Sequence, residues 1–160
     1  MDGMSLLRRA GEAGLRVAAE GSKLVIRGPR RAEPVARLLL AHKPAVIAAL
    51  AAQWRARYCE AQAYWSALHP AGEASRLAWG EIENHWHMQY GERVPHWQCA
   101  GCRDPIGGLP ALDLADSNRV HLDQAHGLDC LLSFGKRWRT EAIAGLRALG
   151  LDPPPGVEPV

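Results

Sequence analysis

A mainly helical α+β fold is predicted for this chain by three observations. Apolar residues recur at helical spacing over long stretches, two short segments alternate apolar and polar residues at a period of two, and prolines and glycines mark the breaks between them. The expected layout is an N-terminal helix-hairpin-helix module over residues 1–52, a helical, aromatic-rich middle over 53–95, a C-terminal hairpin plus helix over 96–150, and a tail over 151–160. With 48% hydrophobic and 22% charged residues, the 160-residue chain has the composition of an ordinary folded protein.

Residues 4–13 form the first expected helix, with Ser5 as its N-cap and Gly14 as its stop. Leu15, Val17 and Ala19 then alternate with Arg16, Ala18 and Glu20, and Leu24 and Ile26 alternate with Lys23, Val25 and Arg27. The intervening Gly21-Ser22 suits a two-residue hairpin loop. Gly28-Pro29 closes the second strand, and Glu33-Pro34 can open a helix because proline is tolerated in a first turn. An apolar face continues through Val35, Leu38, Leu39, Val46, Leu50 and Trp54. Pro44 disfavours helical geometry at Lys43, so a kink or break is expected at His42-Lys43-Pro44.

This order, with the run from Leu38 to Leu50, resembles the N-terminal docking domains of the TubC type found in megasynthetases. The likeness rests on Arg27-Gly28-Pro29 after the strand pair and on His42-Lys43 within the second helix, and it covers about residues 4–52. It implies a dimeric interaction fold that captures a short acidic tail along an exposed hairpin edge, a strand-addition mode. Similar segments head small proteins of phages and mobile elements, which this chain resembles more than it resembles a synthetase.

In the middle, Trp54, Tyr58 and Trp65 lie on one helix, and Trp79, Ile82, Trp86 and Tyr90 form a stripe of spacing 3, 4, 4 on another. Pro70-Ala71-Gly72 separates the two. Such a stripe is expected to be packed core. His85 and His87, two apart on a helix, diverge by about 200° and cannot share a metal. Cys59 is expected to be a small buried residue.

The strongest chemical signal is Cys99-Ala100-Gly101-Cys102, a chelating Cys-x-x-Cys arm. Cys130 follows downstream, with His126 four residues before it and His121 nine before it. Residues 111–114 and 119–122 can pair as a hairpin across Ala115-Asp116-Ser117-Asn118, and a helix follows. Knuckle, hairpin and helix form the order of a treble-clef or zinc-ribbon unit. Three thiolates and one imidazole are a preferred structural zinc set. We take Cys99, Cys102, His126 and Cys130 as the expected ligands, with His121 as the alternate fourth, and Asp123 and Asp129 as acceptors for a free imidazole nitrogen. Zinc is therefore the expected cofactor, holding a unit too small to be stabilised well by burial alone. After Gly150, the proline-rich end is expected to be a disordered, extended tail.

The net charge of +2 conceals an asymmetry. Residues 1–58 hold 11 Lys or Arg against 4 Asp or Glu, residues 59–98 hold 2 against 5, and residues 99–160 hold 6 against 8. A basic first third can meet an acidic protein segment or phosphates. Arg16, Lys23 and Arg27 on the hairpin, and Lys136, Arg137 and Arg139 around Trp138, are the candidate partner or nucleic-acid contacts.

No phosphate-cradling Gly-rich loop, nucleophile elbow or His-Glu-x-x-His helix is present. Asn118, His121 and His126 offer the residue types of a His-Asn-His nuclease, but residues 111–114 carry no histidine to serve as general base. The sequence thus points to a non-enzymatic, zinc-binding adaptor of phage or mobile-element character, with a small DNA-binding accessory protein as the alternative. No apolar run reaches the ~20 residues of a membrane span, and the start lacks the apolar core of a signal peptide. A cytoplasmic protein with no membrane contact is expected, with a protein partner, possible nucleic-acid binding and possible homodimerisation through the N-terminal module.

Overall fold

The computed structural model describes residues 2–20 and 22–158. Its elements are α1 (Gly3–Glu12), β1 (Arg16–Glu20), β2 (Lys23–Arg27), a 3₁₀ turn (Arg30–Ala32), α2 (Glu33–Ala41), α3 (Lys43–Ser66), α4 (Ala71–Tyr90), β3 (Ala111–Asp113), β4 (Arg119–His121) and α5 (Asp129–Arg147). The fold is mainly helical α+β, and each strand pair forms its own antiparallel two-stranded sheet. No single helix among the described residues is long and apolar enough to cross a membrane.

The described residues divide into two compact units. The first comprises the chain up to Tyr90 together with Ala142–Glu158, and the second comprises Gly91–Glu141. The 52/53 boundary of the sequence reading falls inside α3, which runs unbroken from Lys43 to Ser66.

In the first unit, α1 is capped by Asp2, whose carboxylate accepts from the Ser5 backbone N–H at 2.9 Å. The expected cap, Ser5, instead lies one turn inside and donates its hydroxyl to the same carboxylate. Gly14 ends the turn at φ +74°. β1 and β2 pair from Arg16↔Arg27 to Glu20↔Lys23; Gly21 of the expected loop lies outside the described residues. Val17 and Ala19 turn inward while Arg16, Glu20, Lys23 and Arg27 stay exposed. At His42 the helix breaks as the sequence predicts: Pro44 enters the first turn of α3, and the segments on either side meet at 92°.

The core of this unit gathers Leu6, Leu39, Val46, Leu50, Trp54, Trp79, Ile82, Ile143 and Leu146. The aromatic stripe of α4 is core, as expected: Trp79 is fully buried and packs edge-on against Tyr58, while Trp86 and Trp54 both contact Tyr90. Two expectations are corrected. Cys59 is exposed, because burial on α3 follows Leu50, Trp54, Tyr58 and Ala61, leaving 55, 59 and 63 on the solvent side. The proline-rich end up to Glu158 is not a free tail, since Leu151 and Val157 are buried in the core. After Gly150 turns the chain at φ +75°, the Leu151 N–H bonds the Leu146 carbonyl, and both apolar side chains gain burial that an extended segment would forgo. Residues 159 and 160 lie outside the described residues.

The second unit is built on β3 and β4, which pair from Ala111↔His121 to Asp113↔Arg119, and on the start of α5. Its core is Cys99, Ala100, Ile106, Val120 and Cys130. Burial is sparse, and three of those five side chains belong to the knuckle or to its cysteine partner.

Candidate metal centre

The knuckle folds because its backbone closes on itself. The Cys99 N–H bonds the Asp104 carbonyl at 2.8 Å, the Arg103 N–H bonds the Cys99 carbonyl at 2.9 Å, and the Ile106 N–H bonds the Trp97 carbonyl at 2.8 Å. This tight turn holds Arg103 at φ +74°, and its side chain is anchored by Glu92 at 2.5 Å. The knuckle is then tied to the hairpin through the Ala100 N–H and the Arg119 carbonyl at 2.7 Å.

Asn118 sets the hairpin in place. Fully buried, it donates to the Glu92 carbonyl and to Asp116, and accepts from the Val94 N–H at 3.0 Å. Gly101 completes the approach to α5: a Cβ there would lie 2.3 Å from the Cys130 carbonyl oxygen and 2.6 Å from its Cα. Only glycine lets the knuckle backbone come this close. Arg137, about two turns along α5, donates to the carbonyls of Ala100 and Gly101.

These constraints bring Cys99, Cys102, His121 and Cys130 together, with all four candidate ligand atoms within 4.8 Å of one another. His121 Nδ1 lies 3.4 Å from Cys102 Sγ and 3.9 Å from Cys130 Sγ. A tetrahedral centre with metal bonds of about 2.3 Å to sulfur and 2.05 Å to nitrogen places such atoms about 3.6 Å apart. The observed distances bracket that value, so the site has the geometry to hold a metal such as zinc.

The tautomer fits as well. His121 Nε2 faces the Pro105 carbonyl at 3.3 Å, and a carbonyl can only accept, so Nε2 carries the hydrogen. The Nδ1 lone pair is left facing the thiols.

The electrostatics of the thiol cluster call for a cation. Burial works against ionising Cys99, but backbone N–H groups of Cys102, His121 and Gly101 outweigh it and bring its pKa down to about 6. Two of those donors are visible at 3.3 Å from Gly101 and 3.4 Å from His121. Burial and the neighbouring sulfurs Cys99 and Cys102 push Cys130 up to about 12, and burial together with Cys99 raises Cys102. One thiol is ready to ionise and its ionisation holds the other two protonated. A divalent cation removes that conflict by supplying the charge that three thiolates need.

The nitrogen that joins the three sulfurs is that of His121, the alternate fourth of the sequence reading, and His126, which the spacing favoured, lies outside the cluster. The expectation placed His126 and Cys130 on one helical turn, yet α5 begins only at Asp129. His126 sits in a turn of its own, made by Asp123 Oδ1 accepting the N–H groups of Ala125 and His126 and by Gly127 at φ +54°. Its Nδ1 bonds Asp123 Oδ2 at 2.7 Å, and its ring stacks on His121 with centroids 4.1 Å apart. Asp123 thus does pair with a histidine, but with the one outside the thiol cluster. Asp129 is exposed in the first turn of α5.

Of the candidate contact residues, Arg16, Lys23 and Arg27 are exposed on the hairpin and Lys136 is exposed on α5. Arg137 is occupied in bracing the knuckle. Arg139 is half-buried and engaged in an interaction of its own. The cationic string around Trp138 thus leaves Lys136 as its exposed charge. Comparison with family models, with curated proteins and with solved structures finds no match to this chain.

Proposed function

We propose that this chain is a non-enzymatic zinc-binding adaptor: a structural zinc held by Cys99, Cys102, His121 and Cys130 maintains the second unit, and the first unit engages a macromolecular partner. The observation that carries the reading is the convergence of three sulfurs and one correctly tautomeric nitrogen at tetrahedral spacing. Such a set fills four positions and leaves none open for substrate, the hallmark of a structural centre rather than a catalytic one. His121, the histidine a His-Asn-His nuclease would call upon, is spent on the metal.

The first unit supports the adaptor half of the reading through its two-stranded β1–β2 sheet, whose strand edges offer backbone groups to an added strand. Its likeness to docking modules, including those heading small phage and mobile-element proteins, points the same way. Elemental analysis of the purified protein tests the zinc directly: about one zinc per chain, with a melting temperature lowered by chelator, is expected. Zinc near zero together with stability indifferent to chelator would overturn it.

A further inference from the structure

The N-terminal hairpin is charged in a way its own fold does not use. Arg16 and Arg27 are register partners in β1 and β2, directly opposite one another on the outer face. Like charges so placed destabilise a strand pair. Among the described residues, neither has an acidic side chain within ion-pair distance, and the same holds for Arg8, Arg9, Lys23, Arg30 and Arg31. All seven are exposed.

The cations cluster because the backbone around them does. A Cβ on Gly28 would lie 2.9 Å from the Gly14 carbonyl oxygen and 2.6 Å from a Leu15 methyl. The turn leaving α1 and the turn leaving β2 therefore touch. Arg16 stands two residues from one side of that contact, Arg27 and Arg30 one and two residues from the other, and Arg9 lies in the last turn of α1.

Two features select the kind of anion. Residues 1–53 contain no Phe, Tyr or Trp, so the patch has no platform on which unpaired bases could stack. The hairpin's outer face also offers no large exposed apolar side chain, only the half-buried Ala18 and Val25 between its charged pairs. A peptide laid across that outer face, as distinct from one added at a strand edge, would gain little, because exposed ion pairs are weak and the face offers no apolar pocket for an anchor. A duplex gains affinity from charge alone by releasing condensed counterions. Six of the seven cations are arginine, whose guanidinium grips phosphate oxygens in pairs.

We propose that the cationic face formed by Arg16, Arg27 and the neighbouring Arg9, Arg30 and Arg31 binds the phosphate backbone of double-stranded nucleic acid without sequence preference. This names a partner class for the adaptor reading and rests on its partner-binding half, not on the zinc. The test is fluorescence anisotropy with a random-sequence DNA duplex of ~20 base pairs, titrated from about 50 to 200 mM salt. Binding is expected at low salt, and Arg16→Ala/Arg27→Ala should weaken it ~10-fold or more and make the log–log salt slope about 2 units shallower. The double variant removes a repulsion, so its melting temperature should not fall. Binding should also survive chelator, with metal content measured on the same sample.

Absence of binding at about 50 mM salt would overturn the proposal, as would binding unchanged in the double variant. Loss of binding on chelation would move the site to the metal unit and overturn it too. Polyglutamate competing as well as unlabelled duplex at equal charge would show an acidic protein segment to be the occupant instead. None of these outcomes bears on zinc content, so the two readings fail separately.

Discussion

His121 links the hairpin to the metal centre through both ring nitrogens: Nε2 toward Pro105 and Nδ1 toward the sulfurs. Replacing it by alanine should lower zinc affinity by ~100-fold or more, whereas His126→Ala, which removes a stacked neighbour and its bond to Asp123 but no atom of the thiol cluster, should stay within about tenfold of the parent. Competition with a chromophoric chelator measures both, and equal losses would contradict the ligand assignment. The thiols set the pH response. A metal ion competes with protons for sulfur, so affinity rises with pH. Above about pH 6, where Cys99 is already ionised, zinc must displace the protons of Cys102 and Cys130, both of raised pKa. Apparent log affinity should therefore rise about two units per pH unit between pH 6 and 8, and more steeply below 6 as Cys99 also protonates. A slope near zero across that range would refute the thiolate ligation.

At the scale of elements, the second unit depends on close approach rather than on apolar area. Gly101→Ala drives a methyl into the Cys130 backbone, and an overpacking cost of about 1–3 kcal/mol should appear as weaker metal binding and easier unfolding. Asn118→Ala strands the Val94 N–H, the Glu92 carbonyl and Asp116 without their shared partner, a loss of about 2 kcal/mol that chemical denaturation of the zinc-loaded protein would register. In the first unit the matching contact joins α5 to α4: a Cβ on Gly145 would sit 2.3 Å from the Trp86 ring. Gly145→Ala should lower the melting temperature while leaving zinc stoichiometry unchanged. A stable variant would mean that Trp86 can move, against its place in the core.

At the scale of the whole molecule, removal of zinc should expose the amides of residues 97–130 to hydrogen exchange, because the apolar core there is small and two of its five side chains, Cys99 and Cys130, are candidate ligands. How much of this was legible beforehand follows from the kind of signal involved. The helix break at Pro44 and the stop at Gly14 follow from local backbone chemistry and were readable. So was the α4 stripe, a strong 3.6-residue period. The two cysteines of the knuckle and Cys130 were equally plain, since few residue types carry that chemistry at that spacing. The fourth ligand was not, because spacing of four means proximity only inside a helix. The decisive clue was Gly127, which with Asp123 builds a separate turn and delays α5 to Asp129. Cys59 was misplaced because its burial depends on the phase of α3 over several turns, not on residue type. Leu151 and Val157 were hidden by the prolines around them, whose extended geometry does not prevent two apolar side chains from reaching a core. Arg137 looked like a surface cation, and its role in bracing the knuckle depends on long-range packing that no local pattern encodes.

The most direct test of the central claim is X-ray absorption at the zinc edge of the protein as purified. A first coordination shell of three sulfurs at about 2.3 Å and one nitrogen at about 2.0 Å is expected for Cys99, Cys102, Cys130 and His121, with the nitrogen contribution lost in His121→Ala and retained in His126→Ala. A shell dominated by oxygen, or one whose nitrogen disappears with His126 instead, would contradict it.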